Sequence, residues 1–407
     1  MPDKKNLAIC CDGTGDVYGD SNSNVVKLYS TLTISEKQLG YYHPGVGTMG
    51  APSARNKLED GWDIVAGLAF GQGLMDNMGD AYRYLMDTYR EGDDIYLFGF
   101  SRGAYTARAL AGLVSMYGLL FPGNQGLIPY ITRMYAQRIQ DDSPEGVRPA
   151  SAQEKFRIAV GFQQTFSRRV PLHFVGVWDT VSSVGWAYSP LHLPYTAQNP
   201  VMKIGRHAIS IDERRCYFRD NLWGAPLQPG QKGYIFQEPQ DIKQVWFAGV
   251  HGDVGGGYSE EESGLAKLAL EWMLREASLA GLLVNEKRAV EILGRGQPSA
   301  PNAPKIAQPD PTACIHQSLK GAWWIAEFLP HQQWDKASRK NKLRIPVDTP
   351  REVPVGKTTV IHESVQQRMD AVKDYGPPNL PKQPLAEVFT IEPRVEYPAA
   401  QPANAAP

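Results

Sequence analysis

The residues of this 407-residue chain best suited to chemistry are a serine, an aspartate and a histidine far apart in sequence. Ser101 sits in Gly99-Phe100-Ser101-Arg102-Gly103, which fits G-x-S-x-G. That pattern serves nucleophilic catalysis. The chain turns so sharply from strand to helix that the serine takes a strained backbone, and a side chain at either glycine would collide. A serine hydroxyl is a weak nucleophile until a base takes its proton and a third group orients the base. In the strand–turn–helix setting the partners follow in the order acid, then histidine. Asp179 in WDTVSS and His251 in HGDVGGGY supply that order. The expected roles are Ser101 as nucleophile, His251 as general base and Asp179 as its orienter. The expected oxyanion donors are the amide of Arg102, directly after the nucleophile, and the loop at Gly13 and Thr14.

Three further residues compete for these roles. Asp253 lies two positions from His251, too near in sequence to hold its imidazole well, and reads as a carboxylate bracing the glycine-rich loop. His362 follows the β-like run TTVIH and is a second candidate base. Asp12 either braces the Gly13 loop or ends its strand. A different enzyme class uses the same edge: Asp12, Asp179, His251 and Asp253 together offer hard ligands for Mg²⁺ or Mn²⁺ and phosphate-ester hydrolysis. CCDGT resembles the D-x-D-G-T start of one phosphatase class, but Cys10 stands where that mechanism needs an aspartate. There is no G-x-x-x-x-G-K-[ST] loop for a nucleotide. A non-catalytic binding protein on a hydrolase fold is the remaining alternative, and presence of all three triad residue types argues against it.

The elements that must position these groups are legible as apolar runs. Asn6–Cys11, Asp94–Phe100, Leu172–Trp178 and 244–250 are nearly continuous in apolar residues, as strands covered on both faces are. Each is followed by polar groups: Asp12-Gly13-Thr14, Ser101-Arg102-Gly103, Asp179-Thr180 and His251-Gly252-Asp253. Helical rhythm at 76–89, 103–117 and 263–283 falls between them. The pattern predicts an α/β fold with a mostly parallel sheet whose carboxyl edge carries the site. Residues 120–155 and 185–240, rich in Pro, Gly, Tyr and polar groups, read as lid-like insertions over that edge. The catalytic unit is expected to span 1–345. Residues 346–407 hold 11 of the 31 prolines and read as an extended tail over the surface, disordered at its end.

Composition narrows the partners. Lys+Arg is 42 and Asp+Glu 43, for a formal charge of −1, which argues against nucleic acid as the ligand. Four cysteines without zinc spacing exclude a disulfide scaffold and imply synthesis in the reducing cytoplasm. NLAICC is too short for a signal-peptide core, and no run reaches the roughly 18 apolar residues of a membrane span. Export by a signal-independent machine is compatible with this. The Trp-rich stretch 321–334 reads first as core, with a lipid-facing surface as the alternative. Arg214 and Arg215 read first as a solvated ion-pair face, with a phosphate head group as the alternative.

GFSRGAYTARALAGL at 99–113 and GVHGDVGGGY at 249–258 resemble the signatures of an α/β-hydrolase family, the catalytic domain of type VI secretion phospholipase effectors. CDGTGD, YYHPGVGT, FVGVWDTVSSVG, AISIDERR and IHQSLKGAWW extend the resemblance across about residues 5–370. It implies ester hydrolysis on acyl lipids, glycerophospholipids foremost, with Ser101, Asp179 and His251 as the triad and no cofactor. It also implies a membrane-surface substrate and, for a secreted effector, a secretion or immunity partner. Gly252 departs from the serine the family often has there. The chain also has little room for the extra domains of the larger effectors.

Overall fold

The computed structural model describes residues 4–13, 19–45, 59–136, 152–181, 193–296, 305–321, 323–328, 331–335, 340–345 and 347–398. Eight strands form its main sheet: β1 (Asn6–Cys11), β2 (Gln38–His43), β3 (Asp94–Phe100), β4 (Leu172–Trp178), β5 (Met202–Ser210), β6 (Asp241–Phe247), β7 (Val360–His362) and β8 (Thr390–Glu392). They lie in the order β8-β7-β6-β5-β4-β3-β1-β2, and each pairing is parallel. Helices cover both faces, which is the α/β-hydrolase-like class expected.

Alternation along the strands divides the core. Leu7 and Ile9 of β1, Leu97 of β3 and Val175 and Val177 of β4 face one layer. There they meet α2 (Glu59–Thr88), α3 (Ser101–Tyr117) and α4 (Ile128–Ala136). Ala8, Cys10, Tyr96, Phe98 and Phe174 face the other layer. Those pack on Leu28 of α1 (Asn24–Thr31) and on Leu268, Trp272 and Met273 of a long later helix, Gly264–Leu279. Because each strand is buried on both sides, the apolar runs in the sequence are continuous rather than alternating. The register pairs Cys11 with Gly99, Phe100 with Trp178, Trp178 with Ala208 and Ser210 with Phe247. The residues just beyond these ends therefore share one edge.

Two expectations are corrected. First, residues 185–240 are not wholly an insertion, since β5 lies at the centre of the sheet. Lys203, Arg206 and His207 break its apolar run, but the structure buries the last two with polar partners. Arg206 pairs with Glu276 at 2.6 Å and Asp241 at 2.6 Å, and His207 Nε2 accepts the Thr180 amide at 3.1 Å. Second, 346–407 is not a surface tail. It contributes β7 and β8 to the sheet and the helix Glu363–Ala371 between them, and its described prolines lie in the connections. Trp246, Ile361, Val365, Leu385 and Phe389 form the core there. Residues 399–407 lie outside the described residues. In the 120–155 region α4 is helical and packs into the core, while 137–151 lies outside the described residues.

Candidate active site

The turn from β3 into α3 is as tight as its glycines require. Ser101 has φ 56°, a left-handed conformation that costs a non-glycine residue of order 1–3 kcal/mol. A Cβ on Gly99 would overlap the backbone of Gly103 and Ala104, and one on Gly103 would overlap the carbonyls of Cys11 and Asp12. The missing side chains let α3 press against the end of β1 and aim Ser101 over the carboxyl edge.

Asp179 follows β4 directly, also in a left-handed conformation, φ 39°. Its amide donates to the Ala208 carbonyl at 2.7 Å and its Oδ1 accepts the Ser210 amide at 2.8 Å, so β5 fixes both its backbone and its carboxylate. His251 opens the short helix α5 (His251–Gly255), four residues past the end of β6. Its amide donates to Glu213 Oε2 at 3.1 Å, and its ring lies between Phe100 and Phe218, at 4.6 and 4.8 Å between centroids. The imidazole bridges the other two groups: His251 Nδ1 lies 2.5 Å from Asp179 Oδ2, and His251 Nε2 lies 2.8 Å from Ser101 Oγ. All three residues are buried, with Ser101 9% exposed, His251 7% and Asp179 1%.

The electrostatics follow from this burial. Burial opposes the charged carboxylate of Asp179, but Arg351 and His251 outweigh it and hold the group well below the usual carboxylate range. Burial lowers the proton affinity of His251 below its ordinary value, against the pull of Asp179. Glu213 is likewise taken down to about 2, because Arg215 outweighs its burial. The site thus holds a neutral imidazole hydrogen-bonded to a serine, the arrangement able to deliver an alkoxide-like oxygen to an electrophile.

The other candidates lie elsewhere or act indirectly. Asp12 accepts from the Gly13 amide at 2.8 Å, Ser23 Oγ at 2.7 Å and Tyr42 Oη at 2.7 Å, so it braces its loop. The Gly13 amide is therefore engaged by Asp12, and Thr14 lies outside the described residues. Asp253 accepts the Val250 amide at 3.0 Å and pairs with His316 Nδ1 at 2.6 Å rather than with His251. His362 stacks on Phe247 at 4.5 Å and bonds Ser364, and its buried ring is pushed down to about 3. Asp12, Asp179, His251 and Asp253 do not converge as ligands. Among the described residues no three His, Cys, Asp or Glu side chains are grouped to hold a metal ion. Arg214 pairs with Asp348 at 2.6 Å, while Arg215 pairs with Glu213 and lies over the Phe218 ring at 3.5 Å. Trp323 is buried and Trp324 exposed.

Sequence reasoning missed two residues. Glu213 was hidden in an apparent surface ion-pair run, yet its side chain is fully buried and holds the His251 backbone. Arg351 lies in the Pro-rich segment and carries no local pattern, yet it grips Asp179.

Comparison with known proteins agrees with the resemblance. A family model described as the type VI secretion phospholipase effector Tle1-like catalytic domain matches residues 5–276. An uncharacterized protein of Saccharomyces cerevisiae is 35% identical over 224 residues, which is 53% of this chain and 32% of that one. The chain thus spans about a third of the length of that relative. Among solved structures, an uncharacterized protein from Pseudomonas aeruginosa is similar at 19% identity and TM-score 0.38, covering 69% of this chain and 46% of that one. A Tle1 effector bound to the VgrG spike of the type 6 secretion system is similar at 17% identity and TM-score 0.34, covering 64% of this chain and 52% of that one. No described helix is long and apolar enough to cross a membrane. With two thirds of its length matched, the chain belongs to the Tle1-like phospholipase effector catalytic-domain family.

Proposed function

We propose that the chain is a serine hydrolase cleaving carboxylic esters of acyl lipids, with phospholipase A-type or lipase activity. The observation that carries this reading is the continuous hydrogen-bonded line Ser101–His251–Asp179, at 2.8 and 2.5 Å. His251 takes the Ser101 proton as Oγ attacks the ester carbonyl. Asp179 keeps the other imidazole nitrogen protonated and supports the imidazolium that forms. The oxyanion is held by the amide of Arg102 and by the Gly13–Thr14 loop. His251 then gives its proton to the departing alcohol or lysolipid. Water enters, and the same groups hydrolyse the acyl-enzyme.

Phospholipid at a membrane surface as substrate, export as an effector, and an immunity protein as partner follow from family membership and form part of this proposal. The test is incubation of wild type and Ser101→Ala with a mixed phospholipid extract, with products identified by mass. Fatty acid and lysolipid should be released by wild type alone, resist EDTA and stop with a fluorophosphonate. Release of phosphate or a phospho-head-group by both proteins, abolished by EDTA, overturns it.

A further inference from the structure

Arg351 lies beyond the residues the family model covers, in the segment leading to β7. Its guanidinium is 1% exposed and spans both oxygens of Asp179, with Nη1 to Oδ1 at 2.5 Å and Nη2 to Oδ2 at 3.0 Å. It also donates from Nη1 to Ser210 Oγ at 2.8 Å and from Nε to the Phe218 carbonyl at 2.9 Å. The backbone of Arg351 is tied down by Asn379 Nδ2, at 3.0 Å to its carbonyl. One side chain therefore reaches the carboxylate that orients His251 and the backbone of the phenylalanine packed on the His251 ring.

The consequence is electrostatic as well as geometric. Asp179 Oδ2 is shared between His251 Nδ1 and the arginine. A carboxylate already matched by a buried cation supports an imidazolium less than a lone carboxylate does. The remaining charged groups around the triad come as opposite charges. Glu213 and Arg215, from the loop after β5, pair with each other at 3.0 Å. Asp220 and Arg219, further along that loop, also face each other and Arg351. His207, on β5, is pushed by burial down to about 3 and carries no charge at neutral pH.

We propose that Arg351 is a positioning residue for the reaction. It locks the Asp179 carboxylate toward His251 and sets the acid limb of the pH–rate profile at lower pH than a triad without it would have. The inference rests on the serine-hydrolase reading above and deepens it: the segment beyond the matched residues tunes the base.

The experiment measures kcat/KM against pH on soluble p-nitrophenyl butyrate, for the full chain and for Arg351→Met and Arg351→Lys. Fluorophosphonate labelling of wild type and Ser101→Ala runs in parallel. In Arg351→Met the acid limb should move up by about one pH unit, since a neighbouring cation is lost, and the plateau should fall roughly 10–100-fold through misplacement of the base. Arg351→Lys keeps the charge and loses the fork, so its limb should stay with wild type while its plateau falls. A folded Arg351→Met whose limb does not move overturns the proposal, whatever its plateau, because a purely structural role lowers activity equally at every pH. If Arg351→Met does not fold, Arg351→Gln, which also removes the charge but keeps a hydrogen-bond donor, decides: an acid limb displaced upward supports the inference, and an unmoved limb overturns it. Wild type that neither labels nor depends on Ser101 sinks the hydrolase reading instead, which separates the two failures.

Discussion

Replacing Asp179 with Asn tests the link between the site and the stability of the fold. Asp179 and Arg351 are each 1% exposed and paired through both oxygens. Asparagine keeps the shape but turns one acceptor into a donor that faces Arg351 Nη2 and His251 Nδ1. Breaking a buried pair while leaving its partner charged costs about 3–5 kcal/mol. Removing both charges costs far less, so Asp179→Asn with Arg351→Met should be more stable than additivity predicts by about 2 kcal/mol. The pH dependence has a definite sign. The folded state holds Asp179 well below the ordinary carboxylate value, so its contribution is complete above about pH 4 and is lost as pH falls below that. The gap between wild type and Asp179→Asn should therefore narrow in acid. Turnover should fall by about 10⁴-fold, because the amide favours the imidazole tautomer that cannot accept the serine proton. The assay is urea unfolding at pH 7 and pH 3 for wild type, both single variants and the double variant. Asp179→Asn within 1 kcal/mol of wild type at pH 7, or strict additivity in the double variant, would refute the argument.

Other outcomes follow from the same geometry. Ser101→Gly and Ser101→Ala should both be inactive, but the glycine variant should be about 1 kcal/mol the more stable in urea, because φ 56° strains alanine and not glycine. Equal midpoints would mean that the turn is unstrained. Gly103→Ala should lose about 1–3 kcal/mol and at least tenfold in fluorophosphonate labelling rate, since the new methyl meets the Cys11 and Asp12 carbonyls. His251→Ala should abolish ester turnover while His362→Ala keeps it within about threefold, because His362 packs on Phe247 and bonds Ser364. The reverse pattern in kcat would reassign the base.

Much of the frame was legible because burial on both faces leaves a strong local signature. Asn6–Cys11, Asp94–Phe100 and Leu172–Trp178 are strands over the same residues that their apolar runs mark. Gly99 and Gly103 around Ser101 announce a tight turn, since only glycine tolerates the approach to neighbouring backbone. The strand β5 was not legible, because Arg206 and His207 are buried by partners far away in sequence, Glu276 and the Thr180 amide. The short strands β7 and β8 lacked length, and prolines nearby masked them.

What the sequence determined by itself was local: turn residues, apolar runs and the order of groups along one edge. Such features are set by the backbone and by neighbours a few positions away. Only the tertiary structure decided that Arg351 faces Asp179, that Asp253 turns to His316 and that Glu213 holds the His251 amide. Those are pairings of single polar residues across 172, 63 and 38 positions. No periodicity encodes them, because what selects each partner is the cost of leaving a buried charge unmatched once the sheet has closed around it.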